Sequence, residues 1–208
     1  MLRPRVVVLV SGGGTNLQAL IDARDRGAFT SGELALVVSS RVDAYALERA
    51  RRAGIEAVTV ERAAYPTRET FEEQLLALLT ARRINIVALA GFLQILSAPF
   101  VARYPDRIVN VHPSLIPAYC GRGYYGLRVH EAVLAAGETV TGATVHLVNE
   151  VPDGGRILLQ KTVPVLPGDT PETLQRRVME QAEWVLLPVA LQKLCESLSE
   201  ETNEGDRR

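Results

Sequence analysis

The chain has 208 residues, of which 47% are hydrophobic and 23% charged, a balance typical of one ordinary globular domain with a full core. Lys and Arg number 23 against 24 Asp and Glu, for a formal charge of -1, which excludes a general electrostatic attraction to nucleic acid. No apolar run reaches membrane-spanning length, the N-terminus lacks a signal-peptide pattern, and Cys120 and Cys195 form no CxxC pair. We therefore expect a cytoplasmic protein without nucleic-acid or membrane partners.

The first half of the chain alternates apolar, β-branched runs with helical patterns. The runs predict five strands, at 6–10, 34–38, 57–60, 86–90 and 108–111. Apolar residues at helical spacing predict four helices, at 17–26, 44–53, 67–82 and 97–104. Strands that alternate with helices favour a parallel sheet with right-handed crossovers. The predicted fold is therefore α/β, a Rossmann-like open, mostly parallel sheet with helices on both faces.

The second half follows a different pattern. We predict a helix at 129–136 and strands at 141–148 and 157–165, with Pro164 indicating a sheet edge. The last helix starts at Pro171, capped by Thr170, and runs to about Leu198, with a kink or break expected at Pro188. Residues 199–208 form a polar tail that we expect to fray. Without repeats or linkers, residues 1–208 form one predicted domain, with halves at 1–105 and 106–198.

The predicted strand at 108–111 leads into the sequence NVHPSLIP at 110–117. Asn110 and His112 are two residues apart, so both point to the same side at the end of this strand. Ligands of open α/β sheets bind at the carboxyl ends of parallel strands, where an amide donor and an imidazole can polarise a carbonyl and move a proton. The alternative is an Asn that closes a turn and a His that makes a structural hydrogen bond.

Residues 11–16, SGGGTN, connect the first strand to the first helix. The backbone N–H groups of such a loop can bind a phosphate at the positive end of the helix. The dinucleotide fingerprint fails because Leu17 stands where its third glycine belongs, and the lysine of a P-loop is also absent. We therefore predict phosphate binding without a dinucleotide or triphosphate. The alternative is a tight strand-to-helix turn.

Other polar residues have an ordinary structural interpretation when each is considered alone. Asp153 suits a turn, His146 a satisfied core or edge position, Glu183 a solvated face, Trp184 the core and Arg68 the surface. Tyr124 and Tyr125 suit loop packing.

Five motifs in order change this interpretation: SGGGTNLQAL at 11–20, AGFLQIL at 90–96, NVHPSLIP at 110–117, GATVHLV at 142–148 and DGG at 153–155. Together they resemble phosphoribosylglycinamide formyltransferases, over about residues 6–188. The resemblance implies formyl transfer from 10-formyltetrahydrofolate, as co-substrate, to the amine of glycinamide ribonucleotide in purine synthesis. It implies that the first half binds phosphate and the second half is catalytic and folate-binding, with no metal. A monomer or a homodimer is expected.

The resemblance also assigns residues to roles. The implied catalytic residues are Asn110, His112 and Asp153. The implied ribonucleotide-binding residues are Gly14, Thr15, Asn16 and Glu183. The implied folate-binding residues are Arg68, Leu93, Gln94, Ile95, Leu96 and Asn110. The chain departs from the family pattern at Gln94, where some members have Arg, at Trp184, where His is common, and in a longer loop at 120–126.

The chemistry of formyl transfer suits these residues. Amine attack on the formyl carbon creates an oxyanion, to which the Asn110 amide and a protonated His112 can donate. Ionised Asp153 is expected to raise the pKa of His112 and so favour the imidazolium.

Two alternatives remain open. One is another enzyme that uses 10-formyltetrahydrofolate, either a hydrolase or a formyltransferase with a different acceptor, such as methionyl-tRNA. The extra regulatory or nucleic-acid-binding domain usual in those enzymes has no counterpart in these 208 residues. The other is a non-catalytic module that binds a phosphate ligand, which would not need Asn110, His112 and Asp153 together.

Overall fold

A computed structural model of the chain describes residues 3–205, and side chains as far as residue 201. One sheet of seven strands has the order β3-β2-β1-β4-β5-β6-β7. The first five strands pair in parallel, and β6 is antiparallel to both of its neighbours. The strands are β1 (Arg5–Val10), β2 (Glu33–Ser39), β3 (Glu56–Thr59), β4 (Ile86–Leu89), β5 (Ile108–His112), β6 (Val140–Leu147) and β7 (Ile157–Pro164).

Helices cover both faces of this sheet because its central strands are apolar on both sides. Along β1, Val6 and Val8 pack into one core cluster, while Val7 and Leu9 pack into the other. The helices are α1 (Thr15–Asp25), α2 (Tyr45–Arg52), α3 (Arg68–Ala81), α4 (Ala98–Ala102), α5 (Leu127–Ala135), α6 (Pro171–Val178) and α7 (Trp184–Gly205). Side chains of α3 and α4 fill one cluster, and those of α1, α2, α5, α6 and α7 fill the other. The predicted Rossmann-like architecture is confirmed.

The last helix departs from its predicted outline at two places. The chain remains helical through Pro188, and the irregular segment is a π-helical turn one turn earlier, at Met179–Glu183. Proline lacks the N–H that would bond to the carbonyl four residues before it. For Pro188 that residue is Trp184, which directly follows the π turn. Residues 199–205, expected to fray, belong to α7, whereas 206–208 lie outside the described residues.

The order in which strands are added to the sheet reverses beside β1, which forms a crevice at that point. After β1 the chain builds β2 and β3 on one side, and it then crosses to place β4 and β5 on the other. Loops after β1, β4 and β5 therefore meet at the carboxyl edge of the sheet, where ligands bind in open α/β folds. None of the helices within residues 3–205 is long and apolar enough to span a membrane.

Candidate active site

A cavity of about 490 Å³ opens at this edge, between the loops that follow β4 and β5 and the segment between β6 and β7. It is lined by Leu89, 91–96, 110–113, 121–126, His146, 148–150, Pro152 and Asp153. Asn110, His112 and Asp153, predicted from different parts of the sequence, therefore share one cavity, together with Leu93, Gln94, Ile95 and Leu96.

His112 is buried at the end of β5, with one ring nitrogen held by the main chain. Its Nε2 lies 2.8 Å from the carbonyl oxygen of Tyr119. Because a carbonyl only accepts hydrogen bonds, Nε2 carries a proton. The other nitrogen, Nδ1, lies 3.5 Å from Oδ2 of Asp153. In the neutral ring Nδ1 is therefore the basic nitrogen, and a proton gained there faces a carboxylate.

Asp153 occupies a left-handed turn, with φ of 56°, that points its carboxylate back over β5. The backbone N–H of Gly121 donates to Oδ2 at 2.8 Å. Oδ1 lies 3.5 Å from Nε2 of His146. One carboxylate thus lies between two imidazoles, and its side chain is 14% exposed, so solvent screens its charge only in part.

His146, interpreted from sequence as a core or edge histidine, belongs to this cluster. Strand pairing places it opposite Asn110. Its Nδ1 donates to the carbonyl oxygen of Leu147 at 2.8 Å, which leaves Nε2 as the acceptor in the neutral ring. The Asn110 amide Nδ2 lies 3.2 Å from that Nε2 and 3.5 Å from Asp153 Oδ1. Both amide hydrogens of Asn110 thus have an acceptor, and the contact with Asp153 is the longer of the two.

Burial decides the protonation of His112. Burial lowers the pKa of His112 below its ordinary value, and this effect outweighs Asp153, whose charge raises it. Asp153 thus raises the pKa of His112, as expected, but the larger effect of burial makes the overall shift a lowering. Burial raises the pKa of Asp153, but the contact with His146 and the charge of His112 bring it below its ordinary value. The arrangement favours a neutral imidazole beside an ionised carboxylate.

The segment 93–96, assigned to folate, is attached at both ends. The N–H of Leu93 donates to the Ser11 hydroxyl at 3.0 Å. At the other end, buried Glu72 accepts from the N–H of Ser97 at 2.8 Å. Arg68 begins α3 at an exposed position, pairs with Glu69 at 3.6 Å, and is not among the residues that line the cavity.

Residues 11–16, the glycine loop, approach α2 closely. Gly14 has φ of 72°, and an added Cβ would lie 2.6 Å from Cβ of Ala46. Ala46 donates its N–H to the Gly12 carbonyl, and Arg49 Nε donates to the Gly13 carbonyl at 2.8 Å. No side chain among the described residues caps the N-terminus of α1. The free N–H groups of its first turn, at Thr15 and Asn16, therefore suit an anion.

Glu183, which the sequence placed on a solvated face, is buried beside this loop. Asn16 Nδ2 donates to its Oε2 at 2.7 Å. Burial raises the pKa of Glu183 to about 7, although the bond from Asn16 opposes that shift. The π turn carries Glu183 and packs against β6. The predicted ribonucleotide residues are thus brought together, and Trp184, half-buried, follows directly.

Among residues 3–205, no group of three or more His, Cys, Asp and Glu side chains is placed to hold a metal ion.

Comparison with known proteins identifies the family. The model of the formyl transferase family matches residues 4–190. A phosphoribosylglycinamide formyltransferase of Escherichia coli (strain K12) is 40% identical over 89% of this chain and 84% of its own length. The trifunctional purine biosynthetic protein adenosine-3 of Drosophila pseudoobscura pseudoobscura is 44% identical over 93% of this chain, which spans only 14% of that relative. The crystal structure of glycinamide ribonucleotide transformylase 1 from Symbiobacterium toebii aligns with a TM-score of 0.87 and 43% identity, over 94% of this chain and 89% of that one. The chain belongs to the formyl transferase family.

Proposed function

We propose that this protein transfers the formyl group of 10-formyltetrahydrofolate to the amine of 5'-phosphoribosylglycinamide. The products are formylglycinamide ribonucleotide and tetrahydrofolate, in de novo purine biosynthesis. The observation that carries the proposal is the convergence of Asn110, His112 and Asp153 in one cavity, at the edge of the sheet that also carries the glycine loop. Relatives that are named for this reaction support it.

The cavity suits a folate in size and chemistry. Its volume of about 490 Å³ falls in the range of small-molecule sites. Leu93, Ile95 and Leu96 offer apolar surface, and the loop backbones at 91–96 and 148–153 offer hydrogen-bonding groups to a pterin. Arg68, predicted to contact folate, lies outside the lining and is proposed here only on the family resemblance.

In the proposed reaction the acceptor amine forms a bond to the formyl carbon, and the bond from that carbon to the folate nitrogen breaks. Asn110 exchanges its long contact with Asp153 for a hydrogen bond to the formyl oxygen, to which its amide donates as negative charge develops there. Neutral His112 accepts the amine proton at Nδ1, and Asp153, 3.5 Å away, stabilises the imidazolium. The folate nitrogen gains a proton as it leaves, so protons balance with His112 as the relay.

The other substrate is proposed to bind along the glycine loop. Its phosphate accepts from the N–H groups at Gly14, Thr15 and Asn16, at the positive end of α1. Glu183, buried and held by Asn16, binds the ribosyl part. This placement directs the glycinamide amine from the end of β1 towards the end of β5.

The decisive experiment supplies the purified protein with both substrates and follows formylated ribonucleotide and tetrahydrofolate. His112→Ala should lower kcat by about 100- to 10,000-fold, the usual contribution of a general acid–base group, with an unchanged circular dichroism spectrum. Formate release without ribonucleotide would indicate a hydrolase instead. Ribonucleotide binding without turnover would indicate a phosphate-binding module. Near-normal kcat for His112→Ala would remove His112 from the mechanism.

We further propose that the protein acts in the cytoplasm as a monomer or homodimer with no resident metal, its partners being the two small-molecule substrates. Relatives from Arabidopsis thaliana and Vigna unguiculata are named chloroplastic, so compartment varies among related proteins. Light scattering during gel filtration measures the oligomeric state, and metal analysis of the active protein tests the absence of metal.

A further inference from the structure

We propose that Arg83, Arg103 and Arg107 form a binding site for a diphosphate group, either as free pyrophosphate or as the phosphate tail of a nucleoside diphosphate. The three arginines belong to a second cavity, of about 270 Å³, whose other lining residues are Leu76, Thr80, Ile84, Asn85 and Tyr104. None of the five motifs that resemble the family includes any of these residues. The inference goes beyond the proposed function and does not depend on it.

This second cavity lies at the amino edge of the sheet, opposite to the candidate active site. Asn85 directly precedes β4 and Arg107 directly precedes β5, whereas His112 lies at the other end of β5. Thr80 belongs to the last turn of α3, and Arg103 is the C-cap of α4. A ligand bound here therefore occupies a place of its own, between the ends of α3 and α4.

The charge of the second cavity is positive and uncompensated. Among the described residues that line it there is no Asp or Glu, and Asp106, next to Arg107 in sequence, is not part of the lining. In the part of the chain that the structure describes, none of its three guanidinium groups makes an ion pair or a side-chain hydrogen bond. By contrast, the neighbouring Arg82 pairs with Glu56 at 2.7 Å. Like charges that share a cavity repel each other, so an anion that binds between them removes an unfavourable interaction.

The neutral polar side chains of this cavity add hydrogen-bond donors. The backbone N–H of Arg5 donates to Oδ1 of Asn85 at 2.8 Å, which leaves the NH₂ group of Asn85 as a donor. The hydroxyl groups of Thr80 and Tyr104 make no hydrogen bond to other residues within 3–205. Guanidinium groups bind phosphate oxygens through paired N–H donors. Three cations in a volume just below that of drug-sized sites suit a small ligand with several negative charges, which a diphosphate is and a single carboxylate is not.

The backbone at Arg83 gives a second, independent indication of function. Arg83 follows the C-cap of α3 with φ of 50°, in the left-handed position that ends helices and favours glycine. The corresponding positions after α1, α2 and α5 are glycines with φ of 70–71°, at Gly27, Gly54 and Gly137. A residue with a Cβ is less stable in this conformation. The chain therefore carries a cation at the edge of the cavity at some cost to its stability.

The test is calorimetric titration of pyrophosphate into the wild type, into Arg83→Gln, Arg103→Gln and Arg107→Gln, and into the triple variant. Each single substitution should raise Kd roughly 1.5- to 5-fold, the usual effect of one exposed charge pair. The triple variant should lose this binding component, and binding to the wild type should weaken at high salt. Because the glycine loop also suits a phosphate, the difference between the wild type and the variants identifies the site, since that loop is the same in all of them.

Arg51→Gln is the matched control. Arg51 is exposed in the last turn of α2, a helix that packs on the other face of the sheet from α3, so its substitution removes the same charge from a similar helix end. It should leave the Kd for pyrophosphate unchanged. An unchanged Kd in the triple variant, or a change no larger than that in Arg51→Gln, would overturn the site.

Melting temperatures give a second measurement on the same proteins. Pyrophosphate should raise the melting temperature of the wild type but not that of the triple variant. Without pyrophosphate the triple variant should melt no lower than the wild type, because the repulsion among three cations is gone. A lower melting temperature, together with an unchanged Kd, would instead assign the arginines to the negative ends of α3 and α4.

ADP and GDP distinguish the two sources of the diphosphate group. Binding of both nucleotides to the wild type, lost in the triple variant, indicates the phosphate tail of a nucleotide. Binding of pyrophosphate alone indicates the free ion. None of these results depends on formyl transfer, which is measured separately.

Discussion

Asp153→Asn separates the charge of Asp153 from its shape. The amide is nearly isosteric with the carboxylate, so Oδ1 of the new side chain can still accept from the Gly121 N–H. Its NH₂ then takes the place of Oδ1 and faces Nε2 of His146, which accepts in the neutral ring. The substitution therefore keeps the turn and removes the one negative charge that lies 3.5 Å from His112.

The structure sets the expected size of the effect. Opposite charges at 3.5 Å attract by about 4–5 kcal/mol at an effective dielectric constant near 20, and such neighbours shift pKa values by about one to three units. Burial already lowers the pKa of His112, so the variant should lower it by a further one to three units. Each unit is about 1.4 kcal/mol, which predicts a loss in kcat of roughly 10- to 1,000-fold.

The assay is an NMR titration of His112 in both proteins, with kcat against pH and equilibrium binding of the ribonucleotide. Glu150→Gln is the control, because Glu150 lines the same cavity and no contact joins it to His112 among the described residues. The control should leave kcat nearly unchanged. An unchanged His112 pKa in Asp153→Asn would refute the charge mechanism. Normal kcat with a large loss of ribonucleotide affinity would make Asp153 a binding residue.

Three further predictions concern the glycine loop and the buried titratable groups. Gly14→Ala should raise KM for the ribonucleotide and lower the melting temperature, because its φ is 72° and its Cβ would meet Ala46, whereas Gly13→Ala, with open space around its Cβ, should change neither. The folded-state pKa of Glu183 is raised from 4.5 to about 7, so the ionisation of Glu183 lowers the stability of the fold as pH rises through that window. Glu183→Gln should therefore stabilise the fold by up to about 3 kcal/mol at pH 8 and by little at pH 4.5, as urea unfolding at both pH values would measure. The same substitution should weaken ribonucleotide binding. His130 is fully buried and its pKa is lowered from 6.5 to about 4, so the free energy of unfolding of the wild type should fall by up to about 3 kcal/mol as pH falls from 6.5 to 4. His130→Leu should reduce that loss of stability. An identical pH dependence of stability in the two proteins would show that the protonation of His130 does not change on unfolding.

The sheet was predictable because its central parallel strands are apolar runs buried on both faces. Residues 6–10 and 108–111 are such runs, and the structure has β1 and β5 there. Pro164 likewise marked β7 as an edge strand, since its missing N–H has no place inside a sheet. No comparable pattern in the sequence indicated the π turn at Met179–Glu183. A proline in a helical sequence predicts an irregular turn, but the position of that turn depends on how the helix packs.

The candidate site was predictable where residues lie at the carboxyl end of a strand, as Asn110 and His112 do in β5. The role of His146 in the cluster was not predictable, because it depends on the pairing of β6 with β5, which places His146 opposite Asn110. Glu183 resembled a solvated charge because its burial against Asn16 depends on how the π turn that carries it packs on the sheet. The net pKa direction of His112 also required the structure, since sequence spacing suggests a nearby carboxylate and says nothing of burial.

Main-chain atoms of one loop hold the side chains of His112 and Asp153. Tyr119 offers its carbonyl to His112, and Gly121 offers its N–H to Asp153. Alanine scanning would not detect these contacts, because truncating a side chain leaves both atoms in place. Over evolution such a loop can exchange side chains, and even acquire new ligand contacts, as long as its backbone path persists. Gly121 and Gly123, at φ of 84° and 93°, are two positions where that path limits the choice of residue. Variation in this loop is thus a route by which substrate preference can change while the chemistry stays the same.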